Sequence, residues 1–300
     1  MVSAARNALN QAVARGESSF ATAATVTERF RLFVAYVRRD GIGRMEQITP
    51  EVVTRYGQHL AEQVVAEELS AAYAQNLVSA INTVMNLATQ GVWNSVSPTA
   101  GCAIAKRSHV RQLPPTGLDR QKFRAALADA RSRGFWHGAA VAELARQLGL
   151  RTKEASLLNA VAALHEAKAG GHITISSGTK GGRTRQIPVS QIQIEVLARA
   201  AALQSANRSL VPQAQTWAAF RTGELRDTRE LLQAHGITRL HELRAAYACE
   251  RYQNITGKAA PVLGGNADRD IDQIARLQIA QELGHGRIDV TNSYLGGRGR

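Results

Sequence analysis

At 300 residues, with 44% hydrophobic and 20% charged residues, the chain has room for two domains with their own cores and an ordinary globular composition. Its 37 Lys and Arg against 24 Asp and Glu leave a formal net charge of +13, which points to a polyanion, because phosphates release counterions as basic side chains approach. There is no apolar run of transmembrane length and no signal peptide, which sets a membrane partner aside, and Cys102 and Cys249 stand too far apart for a disulfide framework or zinc spacing, which suits a reducing cytoplasm.

The first hundred residues read as helices. "AARNALNQAVAR" is a short leading helix. "VTERFRLFVAYVRRDG" sets Val26, Phe30, Phe33, Val34 and Val37 at helical spacing, with Gly41 as a stop. "ITPEVVTRYGQHLAEQV" offers Thr49 as N-cap and Pro50 at the first helical position, with Val53, Tyr56, Leu60 and Val64 on one face. A further helix starts at Ser70 and repeats Tyr73, Leu77, Ile81, Val84 and Ala88. A proline-rich, basic stretch follows, with Pro98, Pro114 and Pro115 around Lys106, Arg107 and Arg111, and reads as a linker over 98–117. Beyond residue 118 the pattern is mixed. "DRQKFRAALADARSRG" and "GAAVAELARQLGL" are helical. Ile173 and Ile175, then Ile187 and Val189, alternate as two strands, with Gly181 and Gly182 supplying positive φ at the hairpin turn. Helical patterns resume in "QIEVLARAAALQ", "TRELLQAHG", "HELRAAYACERYQ" and "IDQIARLQIAQELG". In "NADRDID", Asp268, Asp270 and Asp272 lack the glycine and distal glutamate of a calcium loop, so they read as a solvated approach to the last of these helices, and no metal site is expected.

Four stretches carry reactive side chains. "LGLRTKEASLL" places Arg151 and Glu154 one helical turn apart, by itself an ordinary ion pair. "GTKGGRTRQIPV" puts Lys180 at a hairpin tip, where lysines are usually just solvated. "HELRAAYACERY" puts His241 and Arg244 on one helix face near its N-terminus, where the dipole favours an anion. "LGHGRIDVTNSY" sets Tyr294 nine residues after His285; by itself such a tyrosine is most often a packing aromatic.

In this order the four stretches resemble the catalytic boxes of the tyrosine recombinases, the phage-integrase family: Arg, Lys, His-x-x-Arg, Gly-His, Tyr. The resemblance implies a mainly α protein of two domains. These are an N-terminal helical core-binding (SAM-like) domain over 1–97 and a mixed α/β catalytic domain with a small antiparallel sheet over 118–300. It also assigns roles. Arg151 and Arg244 clamp a scissile phosphate, Lys180 is the general acid, His241 assists proton transfer, His285 hydrogen-bonds the phosphate, and Tyr294 attacks to form a 3′-phosphotyrosine. Glu154 orients its arginine from behind. The chemistry suits the residue types. Two arginines grip nonbridging oxygens, a phenol of pKa near 10 needs a positive field, and a leaving 5′ oxygen needs a proton. No step needs a metal or other cofactor.

The implied function is that of a site-specific recombinase or integrase of a mobile element, acting in the cytoplasm at the nucleoid. The alternatives are a chromosome or plasmid dimer resolvase, a monomeric type IB topoisomerase, and a non-catalytic DNA-binding relative; the last has no use for Tyr294. The implied partners are double-stranded DNA recombination sites, further copies of the chain in a tetrameric synapse, and an accessory directionality factor. Lys106, Arg107, Arg111, Arg183 and Arg185 are expected to contact DNA. Few residues follow Tyr294, so protomers are expected to couple through Ser3–Arg15 or Asn254–Asp272.

Overall fold

The computed structural model describes residues 1–204, 206 and 208–298, and the chain divides into two units, Met1–Ser108 and His109–Arg300. The first unit holds helices Val2–Ala14 (α1), Phe20–Val37 (α2), Pro50–Val65 (α3) and Ala71–Ala88 (α4). Caps fix two of the starts: Ser19 and Ser70 accept from the backbone N–H groups of Thr22 and Tyr73. Thr49 holds the N-cap position of α3 but makes no capping bond with its side chain; Pro50 suffices there because the first helical N–H is unpaired anyway. The expected apolar faces meet in one core around Phe30, Phe33, Val53, Tyr56, Leu77, Ile81 and Val84. Tyr73, expected on that face, is 39% exposed instead. Helix α2 runs six residues further back than its apolar periodicity, to Phe20, because Ser19 caps it there.

The proline-rich stretch divides between the two units. Cys102 and Ile104 are buried in the first core, and Gln75 donates to the Ala105 carbonyl at 2.7 Å. Residues from His109 onward pack with the second unit. Two buried apolar side chains are enough to dock a segment that its prolines and basic residues mark as a tether.

The second unit contains helices Arg120–Ser132 (α5), Trp136–Leu148 (α6), Thr152–Ser156 (α7) and Ala160–Gly170 (α8). Strands His172–Ile175 (β1) and Arg185–Pro188 (β2) follow, then Gln191–Leu203 (α9), Trp217–Thr222 (α10), Glu224–Ala234 (α11), Leu240–Thr256 (α12), Arg269–Glu282 (α13) and Asn292–Leu295 (α14). The strands pair antiparallel with Ile173 opposite Ile187, and both turn glycines, Gly181 and Gly182, have φ of +71° as expected. Val189 lies one residue past β2. Helix α8 gives almost no amphipathic signal because its buried face is Ala160, Ala163 and Ala167. Helix α12 is the axis of this unit. It is buried from Leu243 to Cys249, and its Ala245, Ala246 and Ala248 let α6, α13 and α14 approach closely.

Candidate active site

Arg244 lies on α12 with 1% of its surface exposed. A guanidinium buried so fully must use its donors on protein groups. Its Nε donates to Tyr294 Oη at 3.3 Å, Nη2 to the Leu283 carbonyl at 2.5 Å, and Nη1 to the Gly149 carbonyl. Gly149 ends α6 at φ +63°, where a methyl group would lie 2.4 Å from the Tyr247 ring, so only glycine brings that carbonyl to Arg244.

His285 Nε2 is 3.1 Å from Tyr294 Oη and 3.4 Å from Arg244 Nη2. Burial, then the charges of Arg244, Arg151 and Arg185, push the His285 pKa down to about 4. The ring is therefore neutral at pH 7. A proton on Nδ1 leaves Nε2 as acceptor for both the phenol and the guanidinium. His241 meets Tyr294 through its ring, with centroids 5.3 Å apart. Its outer edge is exposed, yet its pKa is lowered, first by desolvation and then by Arg244. Tyr294 itself is 3% exposed.

Behind these groups, fully buried Glu154 gathers three arginines. It accepts from Arg185 at 2.7 and 3.0 Å and from the Arg151 side chain at 2.7 Å, and it lies 3.7 Å from Arg244 Nη1. It also reaches back to the Arg151 backbone N–H at 2.8 Å, as a residue three positions into a helix does. Burial pushes its carboxyl up, but the arginines, Arg185 foremost, outweigh that and hold it at about 2. One carboxylate among three guanidinium groups leaves the site positive. Arg151, with a quarter of its side chain exposed, uses only Nη1, so Nε and Nη2 have no partner among the described residues and remain for an anion. Two glycines flank His285, one of them for a steric reason. Gly284 has φ +68°, and a methyl there would lie 3.0 Å from Cδ of the buried Arg185; at Gly286 only the movable end of the exposed Arg183 side chain is near.

Arg151, Glu154, His241, Arg244, His285 and Tyr294 thus come together. Lys180 does not join them: it is exposed in the turn Lys180–Gly182 and has no contact with the cluster among the described residues. Arg183 is exposed beside it. Two of the arginines expected to touch DNA are turned inward. Arg185 is 8% exposed and donates to Glu154 and to the Glu282 carbonyl, and Arg111 is paired with Glu242 at 2.7 Å. A buried carboxylate left without a cation is costly, and these two arginines compensate Glu154 and Glu242. In the first unit Lys106 and Arg107 are exposed.

Sequence reading missed Arg276. It is 5% exposed, pairs with Asp272, and donates to Asn292 Oδ1 at 2.9 Å and to the Gly296 carbonyl at 3.2 Å, on either side of Tyr294. Its four-residue step from Asp272 was the available signal. "NADRDID" is thereby explained: Asp268 caps α13, and Asp272 serves Arg276 and the Tyr252 hydroxyl. Among the described residues no group of three His, Cys, Asp or Glu could hold a metal ion, and no helix is long and apolar enough to cross a membrane.

Residues 108–250 match the protein-family model described as Integrase. This segment belongs to the integrase family. The integrase segment takes in Arg151, Lys180, His241 and Arg244, and His285 and Tyr294 follow it. Lambda integrase bound to DNA has a similar structure, with a TM-score of 0.60, 16% identity and coverage of 99% of this chain and 96% of that one. A lambda integrase tetramer bound to a Holliday junction gives 0.58, 18%, 97% and 76%. The Tn1549 transposon integrase in complex with transposon right end DNA gives 0.59, 13%, 98% and 95%. At these identities the likeness carries the fold, the two-domain and mainly helical fold of the tyrosine recombinases. No curated protein sequence matches the chain.

Proposed function

We propose that the protein is a site-specific DNA recombinase of the integrase type, which cuts and rejoins strands through a 3′-phosphotyrosyl link at Tyr294. The observation that carries this reading is the Tyr294 hydroxyl, set 3.3 Å from Arg244 Nε and 3.1 Å from His285 Nε2. Any buried phenol needs a partner, but the hydroxyls of Tyr247 and Tyr252 take carboxylates, Glu282 and Asp272, whereas that of Tyr294 is set against a guanidinium and an imidazole, the groups that would hold a phosphate and take a proton. A phosphate entering beside Arg151 takes the free donors of that arginine and competes for Arg244 Nε, which brings phosphorus against the phenol oxygen. Tyr294 Oη then bonds to phosphorus as the bond to the 5′ oxygen breaks. The phenol proton passes to His285 Nε2, and Lys180, on its glycine turn, protonates the leaving 5′ oxygen. His241 packs the tyrosine ring, and Glu154 holds Arg151 and Arg185 in place. Rejoining is the reverse, with a 5′ hydroxyl attacking the phosphotyrosine.

Duplex DNA and further copies of the chain are the partners in this reading, by likeness to the DNA-bound dimers and the tetramer of lambda integrase. The first unit would lie on DNA as the core-binding domain, with Lys106 and Arg107 on phosphates. The site of action is the cytoplasm, and an accessory factor would set direction. The test uses a duplex carrying the sequence that flanks the gene. The wild-type chain is expected to form a denaturant-resistant adduct, and Tyr294→Phe to bind without forming one. An adduct formed equally by Tyr294→Phe would overturn the reading.

A further inference from the structure

The one-turn helix that carries Tyr294 is too short to fix its own orientation. Arg276 braces it on one side. The other brace comes from Arg111, whose backbone N–H donates to the Asn292 carbonyl at 2.9 Å and whose Nε donates to the Ser293 carbonyl at 3.3 Å. The rest of the guanidinium locks onto Glu242 at 2.7 and 3.0 Å and reaches the Leu113 carbonyl at 3.2 Å. Four of its five N–H donors are therefore used. Arg111 and Glu242 are 14% and 13% exposed along their side chains. Glu242 also accepts from the Thr116 N–H at 3.1 Å, so the connection between α12 and the tyrosine segment is rigid on both sides.

We propose that Arg111 is a positioning residue for Tyr294: braced on Glu242, it fixes the carbonyls of Asn292 and Ser293 so that the phenol is presented to Arg244 and His285 of its own chain. The inference rests on Tyr294 being the nucleophile. The Ser293 carbonyl and the Tyr294 nitrogen belong to one planar peptide, so a shift of that carbonyl moves the phenol with it. A misplacement of about 1 Å costs a reaction about 10²-fold. On the tyrosine segment Arg111 holds backbone carbonyls only, and its removal also unpairs Glu242, which keeps the Thr116 N–H. Losing Arg276 would unpair Asp272, disturb Tyr252 and free the Asn292 side chain together, so Arg111 is the variant chosen.

Two measurements on full-length wild type, Arg111→Ala and Arg111→Lys test this. The first is hydrogen exchange of the free protein, which needs no DNA. Arg111→Ala is expected to speed exchange across 292–296 by about tenfold or more, with α13 unchanged. Arg111→Lys keeps the charge but loses the planar fork, so it should loosen the same segment, and it is the variant to read if Arg111→Ala unfolds the unit. The second uses the flanking-sequence duplex. Adduct formation should slow by about 10²-fold while DNA affinity stays within about twofold. Unchanged exchange over 292–296 overturns the proposal. So does a variant that binds weakly, with its salt slope reduced by about one, but reacts normally once bound, for that is the signature of a phosphate contact. A wild type that forms no adduct sinks the recombinase reading, and the exchange result still decides whether Arg111 braces the segment.

Discussion

His285 and Tyr294 meet at 3.1 Å because nine residues of turn and short helix return the chain to the end of α13. That spacing was legible in the sequence, and so was the pairing of Arg151 with Glu154. The directions of Arg111 and Arg185 were not, since a basic residue in a basic chain reads as surface until its buried carboxylate is seen. Glu154 has the largest expected effect on stability. Glu154→Gln leaves Arg151, Arg185 and Arg244 without their shared anion and should cost about 3–5 kcal/mol, measured by urea unfolding. Acid should act through several groups, His241 among them, with His285 and Glu154 carrying large shifts. His285 has a folded pKa of about 4, below its ordinary value of 6.5, so its contribution to stability is present above pH 6.5 and is lost as pH falls toward 4. Glu154, held at about 2 against an ordinary 4.5, adds a loss below pH 4.5. A plot of melting temperature against pH should fall between 6.5 and 4 in the wild type and less steeply in His285→Gln; equal slopes would remove His285 as the cause. Lys180 is tested by its leaving group. Lys180→Ala should slow cleavage by about 10²–10⁴-fold. Replacing the bridging 5′ oxygen with sulfur should restore the rate, because a thiolate departs without a proton. Failure of that rescue would make Lys180 a phosphate contact instead.

At the scale of elements, periodicity located the long helices and the hairpin, and caps explain where their ends differ from it. Helix α8 escaped because an all-alanine buried face carries little contrast, and α10 because six residues are too few for a period. The docking of residues 98–108 onto the first unit escaped for another reason: Pro98, Lys106 and Arg107 mark the stretch as a tether, and its two buried anchors, Cys102 and Ile104, show no helical or strand period. That docking needs Gly57 on α3, where a methyl group would sit 2.2 Å from Cys102 Sγ. Gly57→Ala should therefore destabilise the first unit by about 1–3 kcal/mol, as overpacking does. A double variant with Cys102→Ala should recover part of the loss. No loss in the single variant would mean that this stretch is not held there.

Across the whole molecule, the net charge of +13 points to a polyanionic partner independently of any motif. Affinity for duplex DNA should fall steeply with salt, and Lys106→Ala should flatten that dependence by about one unit on every sequence alike. The fold places most of the reactive side chains in one positive cluster in the second unit and leaves Lys180 on an exposed turn. The proposed covalent bond between Tyr294 and DNA can be read most directly by mass spectrometry of the adduct. After nuclease and trypsin digestion, the peptide spanning residues 288–298 should carry a nucleotide on Tyr294, whether or not EDTA is present during cleavage. A nucleotide found on any other residue, or an adduct that forms only with divalent metal, would contradict it.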